Sequence, residues 1–383
     1  MKILVTAVKS PTPPMIARLD HILAKAVDMG ASDLIFKAKL PPVTRVTGIL
    51  APMKGESRFS ASELDAMGRS LMDDRQWERF CTTRDIDMAY EVASVGRFRV
   101  NAFYQRESIA MVFRVVPSEP PLITDLNLPQ AVEKLAQEQR GLILVTGTTG
   151  SGKSTTLAAM INHLNTSKNC HIITIEDPIE FIHRDRKSII NQREMGSDTI
   201  SFPRALRAAL RQNPDVILLG EMRDLETIAT AMLAAETGHL VLSTLHTVDA
   251  LETIRRIISS FPIPHQASAR FQLAGILHGV ISQRLLPTTD GKSRVPAVEV
   301  LVSTSRVREC IEDETRTSEI RDAIFEGHVN YGMQTFDQSI LQLYQQGLIS
   351  YQTAYEAATN RDDFALFVRG ISGRGESTWE LES

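Results

Sequence analysis

A glycine-rich stretch near the middle of the chain has the residue types and spacing of a phosphate-binding loop. Residues 147–154 read Gly-Thr-Thr-Gly-Ser-Gly-Lys-Ser, which fits the pattern G-x-x-x-x-G-K-[ST]. The glycines let backbone N–H groups face phosphate oxygens, Lys153 would contact the β- and γ-phosphates of ATP, and the Ser154 hydroxyl would bind Mg²⁺. The alternative is a glycine-rich turn without a ligand. The predicted nucleotide-binding residues are Gly147, Thr148, Thr149, Gly150, Ser151, Gly152, Lys153, Ser154 and Thr155.

Carboxylates follow two further apolar runs. Glu176, Asp177 and Glu180 come after one run, and Glu221 comes directly after another. The carboxyl ends of strands form the ligand-binding edge of an α/β sheet, so both groups are expected to face the phosphates. We predict that Glu221 orders the attacking water and that Glu180 assists the water or the metal ion. The alternatives are turn capping for Glu176 and Asp177 and a solvated loop carboxylate for Glu221.

Two histidines bracket a third apolar run at residues 240–245. His239 precedes the run and His246 follows it. Because this strand is also expected to point its end at the ligand-binding edge, both histidines are candidate sensors of the γ-phosphate. The alternative for each is a structural role, with the ring nitrogens hydrogen-bonded inside the fold.

The predicted chemistry requires a parallel sheet whose strands end at one edge. After residue 122 short apolar runs alternate with helical patterns, which is typical of an α/β domain with buried parallel strands. The predicted strands are 142–146, 171–175, 216–219 and 240–245. The predicted helices are 153–164, 202–211, 225–236 and 266–281, and residues 303–363 are expected to be mostly helical.

A proline-rich segment divides the chain into two predicted domains. Pro117, Pro120 and Pro121 interrupt any strand or helix, so we predict a linker here. The preceding part has an α+β pattern, with strands expected at 33–37, 43–48, 86–92, 96–104 and 109–116. The predicted division is a lead-in at 1–14, an N-terminal α+β domain at 15–116, a linker at 117–122, a nucleotide-binding domain at 123–371 and a tail at 372–383.

The composition excludes several other classes of protein. The chain of 383 residues is 43% hydrophobic and 23% charged, which indicates a folded protein long enough for two domains. We expect neither a signal peptide nor a membrane-spanning helix, because the apolar runs are too short. Cys81, Cys170 and Cys310 are too few and too scattered for a disulfide framework or a paired zinc site, and they fit a reducing cytosol. The net charge of −4 does not favour a nucleic-acid binder.

The order of several motifs resembles that of the secretion-type ATPases and, among these, of the type IV pilus retraction ATPases (PilT and PilU). The matching segments are residues 31–34, 96–103, 147–154, 174–180, 191–194, 214–224, 235–247 and 332–337. The resemblance implies an α/β fold with a PAS-like N-terminal domain, a RecA-like P-loop ATPase domain with a helical C-terminal part, and a hexameric ring. The related extension and type II secretion ATPases are longer and usually carry a four-cysteine zinc insert, which three scattered cysteines cannot form.

The same resemblance implies a function for the chain. It implies a homo-hexameric motor that hydrolyses ATP with Mg²⁺ and retracts type IV pili in twitching motility. The implied location is cytoplasmic and peripheral, at the base of the pilus on the inner membrane. The implied partners are the inner-membrane platform protein of the pilus and, as a second candidate, a sister retraction ATPase; no nucleic acid is expected.

The arginines of the N-terminal domain also gain an interpretation from the resemblance. In the resembling family, arginines of this domain complete the nucleotide site. On a strand, Arg97 and Arg99 share one face and Phe98 and Val100 share the other. A salt-bridged or solvated strand face is the alternative. The candidate arginine fingers are Arg97, Arg99, Arg106 and Arg114.

Two other functions stay open at this point. One is a PilU-type accessory ATPase that acts only with a sister motor, because the PilT signature Ala-Ile-Arg-Asn-Leu-Ile reads Arg-Val-Arg-Glu-Cys-Ile at residues 306–311 and keeps only Arg308 and Ile311. The other is a RecA-like nucleic-acid translocase. That function needs a basic lining and stacking aromatic residues, whereas aromatic residues make up 6% of the chain and the acidic excess lies after residue 120.

Overall fold

The computed structural model of the protein describes residues 14–117 and 119–368. The internal contacts divide the chain into two compact units, Met1–Glu119 and Pro120–Ser383. The predicted tail at 372–383 and the predicted lead-in, apart from Pro14, lie outside the described residues. Within the described ranges, every helix is too short or too polar to span a bilayer.

The first unit is built on a six-stranded antiparallel sheet. Its elements are α1 (Pro14–Asp28), β1 (Ala31–Phe36), β2 (Val43–Val46), β3 (Ile49–Pro52), α2 (Ala61–Leu71), α3 (Asp74–Thr83), β4 (Asp85–Val92), β5 (Gly96–Gln105) and β6 (Ser108–Val116). The strand order is β3-β2-β1-β6-β5-β4, and each neighbouring pair is antiparallel. Phe36 and Phe98 pack edge to face against Phe113 in the core that α1 and α2 cover.

The second unit alternates strands and helices and then becomes helical. After a 3₁₀ turn at Ile123–Leu126, its first elements are α4 (Gln130–Ala136), β7 (Gly141–Thr146), α5 (Lys153–Ser167), β8 (His171–Glu176), β9 (Ile189–Glu194), α6 (Phe202–Ala209), β10 (Val216–Leu219), α7 (Leu225–Glu236) and β11 (Leu240–Leu245). Its later elements are α8 (Ala250–Ser259), α9 (Ile263–Ile276), β12 (Leu277–Pro287), β13 (Arg294–Val302), α10 (Ser305–Glu312), a 3₁₀ turn (Glu314–Glu319), α11 (Ile320–Glu326), α12 (His328–Tyr331), α13 (Phe336–Gln345), α14 (Tyr351–Ala357) and α15 (Arg361–Val368).

The seven-stranded sheet of the second unit positions the predicted site. Its strand order is β13-β12-β7-β11-β10-β8-β9. The strands from β12 to β9 run parallel, and β13 is antiparallel at one edge. Strands β7, β10 and β11 are buried along their whole length, as their continuous apolar sequences predict. The carboxyl ends of β7, β8, β10 and β11 therefore lie side by side at one edge.

The predicted helix at 266–281 is wrong over its last five residues. Helix α9 ends at Ile276, and β12 begins at Leu277. The helical spacing of Leu273, Leu277 and Ile281 continues across the boundary, so periodicity alone could not locate it. Pairing with β7 on one side and β13 on the other buries the segment as a central strand, and this tertiary packing overrides the local pattern.

A buried carboxyl group on β13 makes the stability of the second unit dependent on pH. Glu299 is 7% exposed, and its Oε1 accepts a hydrogen bond of 2.8 Å from the backbone N–H of Ala250 at the start of α8. Burial raises the pKa of Glu299 from 4.5 to about 7, and the nearby Asp249 adds to the increase. Because the folded state binds this proton more tightly, the contribution to stability is complete below pH 4.5 and is lost as the pH rises through 7.

We therefore expect Glu299→Gln, which keeps the shape of the neutral acid, to stabilise the protein at pH 8 but not at pH 5. The expected gain at pH 8 is about 2 kcal/mol. Urea unfolding of both proteins at both pH values measures it, with Glu252→Gln on the exposed side of α8 as the control. An equal stability difference at pH 5 and pH 8 would contradict this assignment.

Candidate nucleotide-binding and catalytic site

The phosphate loop connects β7 to α5 at the carboxyl edge of the sheet. Gly147, Gly150 and Gly152 have φ values of 141°, 80° and 94°, which favour glycine. A Cβ atom on Gly147 would lie 2.5 Å from both the Gln283 carbonyl oxygen and Ser151 Oγ, so only glycine fits there. The buried Ser151 Oγ has no hydrogen-bond partner among the described residues. The loop is thus a tight backbone cradle between a buried strand and a helix N-terminus, which suits a bound phosphate.

Lys153 is held at the mouth of this cradle. Its Nζ donates hydrogen bonds of 2.8 Å and 3.0 Å to the carbonyl oxygens of Gly147 and Thr148, and the residue is 8% exposed. Burial lowers the pKa of Lys153, while the carboxylate of Glu221 acts in the opposite direction. An ammonium group has three donors, so one N–H remains for a phosphate oxygen after these two bonds.

Strand β12 supports both ends of the phosphate loop. Ser282 Oγ accepts a hydrogen bond of 2.9 Å from Thr146 Oγ1 at the end of β7. Gln283 is 2% exposed, and its Nε2 donates a 2.8 Å bond to Thr156 Oγ1 in the first turn of α5. These supports were not predicted from the sequence, because no strand was expected in this segment. Residues 281–285 read Ile-Ser-Gln-Arg-Leu, which shows no apolar–polar alternation, so the sequence carried no clear signal for this strand.

Glu221 lies at the carboxyl end of β10, as predicted. Its side chain is 12% exposed, and its Oε1 is 2.6 Å from Arg223 Nε. Its Oε2 is 3.5 Å from the ring of His246, which follows β11. The preceding residue is fixed, because Gly220 accepts a hydrogen bond of 2.7 Å from Thr244 Oγ1 and donates one of 2.8 Å to the Ile175 carbonyl. The structure thus brings Glu221 and His246 together. Lys153 is close enough to Glu221 for the carboxylate to raise its pKa.

The structure separates the two candidate histidines by the length of β11. Strands β11 and β7 are parallel and in register, so His246 follows the end that adjoins the phosphate loop and His239 precedes the opposite end. Six residues of strand span about 20 Å. The Nδ1 of His239 instead forms a 3.0 Å hydrogen bond with the Ala234 carbonyl. The prediction of a phosphate sensor on the same chain is therefore wrong for His239, which has a structural role at the amino edge.

The acidic segment at the end of β8 contains three carboxyl groups. Glu176 and Glu180 are half-buried, and Asp177 is exposed. Glu176 Oε1 accepts hydrogen bonds of 2.6 Å from Thr174 Oγ1 and 3.2 Å from Gln192 Nε2. Burial raises the pKa of Glu176, and the nearby charge of Glu180 adds to this effect. Glu180 therefore lies within electrostatic reach of Glu176, beyond the carboxyl end of a strand that neighbours β10.

The candidate arginine fingers belong to the first unit, where two strands carry most of them. Arg97 and Arg99 alternate along β5 with fully or almost fully buried residues, as predicted for one strand face. Arg114 on β6 lies directly opposite Arg99, and its Nε donates a 3.0 Å hydrogen bond to Asp33. Arg106 is exposed in the turn between the two strands, with φ at 46°. Arg114 therefore already forms an ion pair with Asp33 inside its own unit.

The phosphate loop, the parallel sheet and the carboxylates at the ends of its strands define a P-loop nucleotide-binding protein of the α/β class. A unit with an antiparallel sheet precedes the nucleotide-binding unit in the chain. Residues 87–373 match a family model that is described as "type II/IV secretion system protein". The chain belongs to this family. The predicted fold class, an α/β protein with an α+β first unit, is confirmed.

Known proteins similar to this chain include two pilus ATPases of Pseudomonas aeruginosa. The chain is 43% identical to the type IV pilus retraction ATPase PilT over 346 residues, which cover 90% of this chain and 99% of PilT. It is 40% identical to the type IV pilus ATPase PilU over 352 residues, 91% of each chain. The crystal structure of the retraction motor PilT with bound ADP matches 90% of this chain and 98% of its own, with a TM-score of 0.83 at 44% identity. The resemblance to the retraction ATPases is therefore confirmed.

Proposed function

We propose that this protein is an ATPase motor that powers the retraction of type IV pili. The observation that carries the proposal is the meeting of Lys153, Glu221 and His246 at one edge of the sheet, in a chain that matches PilT over 99% of PilT's length. The match covers both units, which is what a whole motor rather than a shared nucleotide-binding domain requires. The matched PilT structure contains ADP, which supports a nucleotide at the phosphate loop.

In this proposal each residue at the edge of the sheet has one role. The loop residues 147–152 surround the β-phosphate with backbone N–H groups, and Lys153 neutralises charge on the β- and γ-phosphates. Glu221 orders the water that attacks the γ-phosphate, because it lies close enough to Lys153 for its charge to raise the pKa of that lysine. His246, beside Glu221, senses the γ-phosphate, and Glu180 assists the water or the metal ion.

The residues also suit Mg²⁺ as the cofactor. Ser154 is exposed in the first turn of α5, directly after Lys153, and a hydroxyl oxygen is a hard ligand of the kind that Mg²⁺ prefers. Ser154 would hold the ion together with phosphate oxygens of the substrate. When bound, Mg²⁺ would neutralise charge that develops on the transferred phosphoryl group.

The proposal extends to the assembly and its partners. We propose a homo-hexamer in the cytoplasm, located at the pilus base on the inner membrane, in which arginines of the first unit complete the nucleotide site. Hydrolysis would then change the arrangement of the two units as rigid bodies, and the platform protein of the pilus would receive this movement. The candidate arginines remain Arg97, Arg99, Arg106 and Arg114.

A PilU-type accessory role is the second candidate, and the segment 306–311 favours it. On α10, Val307, Cys310 and Ile311 are buried, whereas Arg308 and Glu309 are exposed. Glu309 replaces the asparagine of the PilT signature and pairs with Arg316 at 3.1 Å, so the surface of the helix differs in charge. Expression of this gene alone in a strain that lacks both retraction ATPases separates the roles, since only an independent motor restores twitching.

Glu221→Gln is expected to lower ATP turnover about 100-fold while ATP binding is retained. The amide keeps the size of the side chain but accepts a proton from water far less readily. Steady-state hydrolysis and equilibrium binding of a fluorescent ATP analogue measure the two effects. The matched control is Glu226→Gln, which removes a carboxylate from the exposed first turn of α7. Turnover by Glu221→Gln within tenfold of the unmodified protein would contradict the role of Glu221.

A further inference from the structure

We propose that Arg223 is a positioning residue that restrains Glu221 and so sets the fraction of sites that are ready to hydrolyse ATP. The inference rests on the proposed function, in which Glu221 orders the attacking water. Arg223 Nε is 2.6 Å from Glu221 Oε1, the distance of a charge-assisted hydrogen bond. A carboxylate oxygen that is held by a guanidinium group cannot accept a hydrogen bond from water in the same direction.

Hydrogen bonds hold the chain before, between and after the two residues of this pair. Gly220 is hydrogen-bonded to strand β8 through its N–H and to Thr244 through its carbonyl oxygen. The N–H of Met222 donates a 3.1 Å bond to the Thr244 carbonyl. Asp224 caps α7 by accepting a 2.8 Å bond from the N–H of Thr227. The connection from β10 to α7 therefore presents its two charged side chains from a rigid frame.

The pairing follows from the spacing of the two residues in this frame. Met222 lies between them and is 3% exposed, whereas the side chains of Glu221 and Arg223 meet each other. Glu221 is 12% exposed, whereas Arg223 is 73% exposed. A rotation of the Arg223 side chain into solvent would release Glu221 without any change of the fold.

The strength of the pair gives the size of the effect. Exposed ion pairs shift an equilibrium by about two- to fivefold, and the exposure of Arg223 places this pair, whose carboxylate is largely buried, near that range. Loss of the restraint increases the fraction of sites with a free Glu221 by the same factor, and kcat follows that fraction. The contacts of the phosphate loop do not involve Arg223, so KM is expected to stay unchanged.

Steady-state ATP hydrolysis by Arg223→Ala tests the proposal. The expected result is a two- to fivefold increase in kcat at constant KM, and Arg223→Lys, which keeps a cation, is expected to give an intermediate kcat. In the double variant Arg223→Ala with Glu221→Gln, the increase should disappear, because the restraint acts only through Glu221. Arg207→Ala is the matched control, since it removes an exposed arginine from its pair with Glu226 outside the site.

A kcat of Arg223→Ala at or below that of the unmodified protein overturns the restraint, provided that the melting temperatures agree. If the alanine variant is unstable, Arg223→Gln takes its place, and its kcat must also exceed that of the unmodified protein. An increase that survives in the double variant also overturns the proposal. Failure of the proposed function is distinguishable, because the unmodified protein would then show no ATP hydrolysis at all.

Discussion

Lys153→Ala is expected to reduce ATP hydrolysis by on the order of 1,000-fold, which corresponds to about 4 kcal/mol of transition-state stabilisation. Two consequences of the substitution act together. The cation that would face the β- and γ-phosphates is lost, and the carbonyl oxygens of Gly147 and Thr148 lose the donor that ties the loop to α5. Because the side chain is nearly buried, water cannot replace these bonds without opening the loop.

The matched control for this variant is Lys168→Ala. Lys168 follows the same helix, and its Nζ also donates hydrogen bonds to two backbone carbonyl oxygens, those of Gln137 and Glu138. It lies beyond the other end of α5, away from the phosphate loop. Both variants should lose a similar small amount of thermal stability, but only Lys153→Ala should lose turnover and nucleotide binding. Substantial hydrolysis by Lys153→Ala, or an equal loss in Lys168→Ala, would argue against the site.

Elements of the second unit were predicted closely from the sequence wherever a single local rule was enough. Strands β10 and β11 and helix α7 have the predicted boundaries, because each is a continuous apolar run or an amphipathic run bounded by polar or glycine residues. The phosphate loop follows from its own spacing, since the strand, the glycines and the lysine are adjacent in the chain. The mostly helical part after residue 303 is also confirmed.

Elements that depend on pairing with another strand were missed. Strands β9, β12 and β13 were not predicted. Strand β12 is a strand through its pairing with β7, far earlier in the chain, and β13 and β9 each form by pairing with the strand that precedes them. The predicted strand 43–48 is too long by two residues, because β2 ends at Val46 and the chain turns into β3 at Thr47 and Gly48, both with positive φ. Composition and periodicity do not report such pairings, so they cannot report what the pairings support, such as the contact of Gln283 with α5.

The candidate site likewise contains residues that a local rule predicts and residues that depend on tertiary contacts. Glu221 and His246 could be predicted because a residue directly after a buried parallel strand must lie at the carboxyl edge. The same rule, applied with the direction of the strand in mind, excludes His239, which precedes its strand. Arg223 was overlooked although it is two residues from Glu221, because its importance comes from the buried Met222 between them, and burial of a single loop residue has no periodic signal.

Substitution of the candidate arginines is expected to lower turnover by on the order of 1,000-fold for at least one of Arg97, Arg99, Arg106 and Arg114. An arginine that reaches the transferred phosphoryl group stabilises charge that exists only in the transition state, so kcat falls more than nucleotide binding. We expect only a small loss of turnover for Arg114→Ala, because Asp33 already binds that guanidinium. Arg114→Ala should instead lower the stability of the first unit.

Mixed hexamers reveal on which chain such an arginine acts. Each inactive arginine variant is mixed with Lys153→Ala, whose arginines are intact but whose phosphate loop is not functional. If the arginine completes the site of a neighbouring chain, intact loops of one variant meet intact arginines of the other and part of the activity returns. If it acts within its own chain, no site in the mixture is complete and the activity stays absent. Full turnover in all four alanine variants, at matched hexamer content, would show that the first unit supplies no arginine finger.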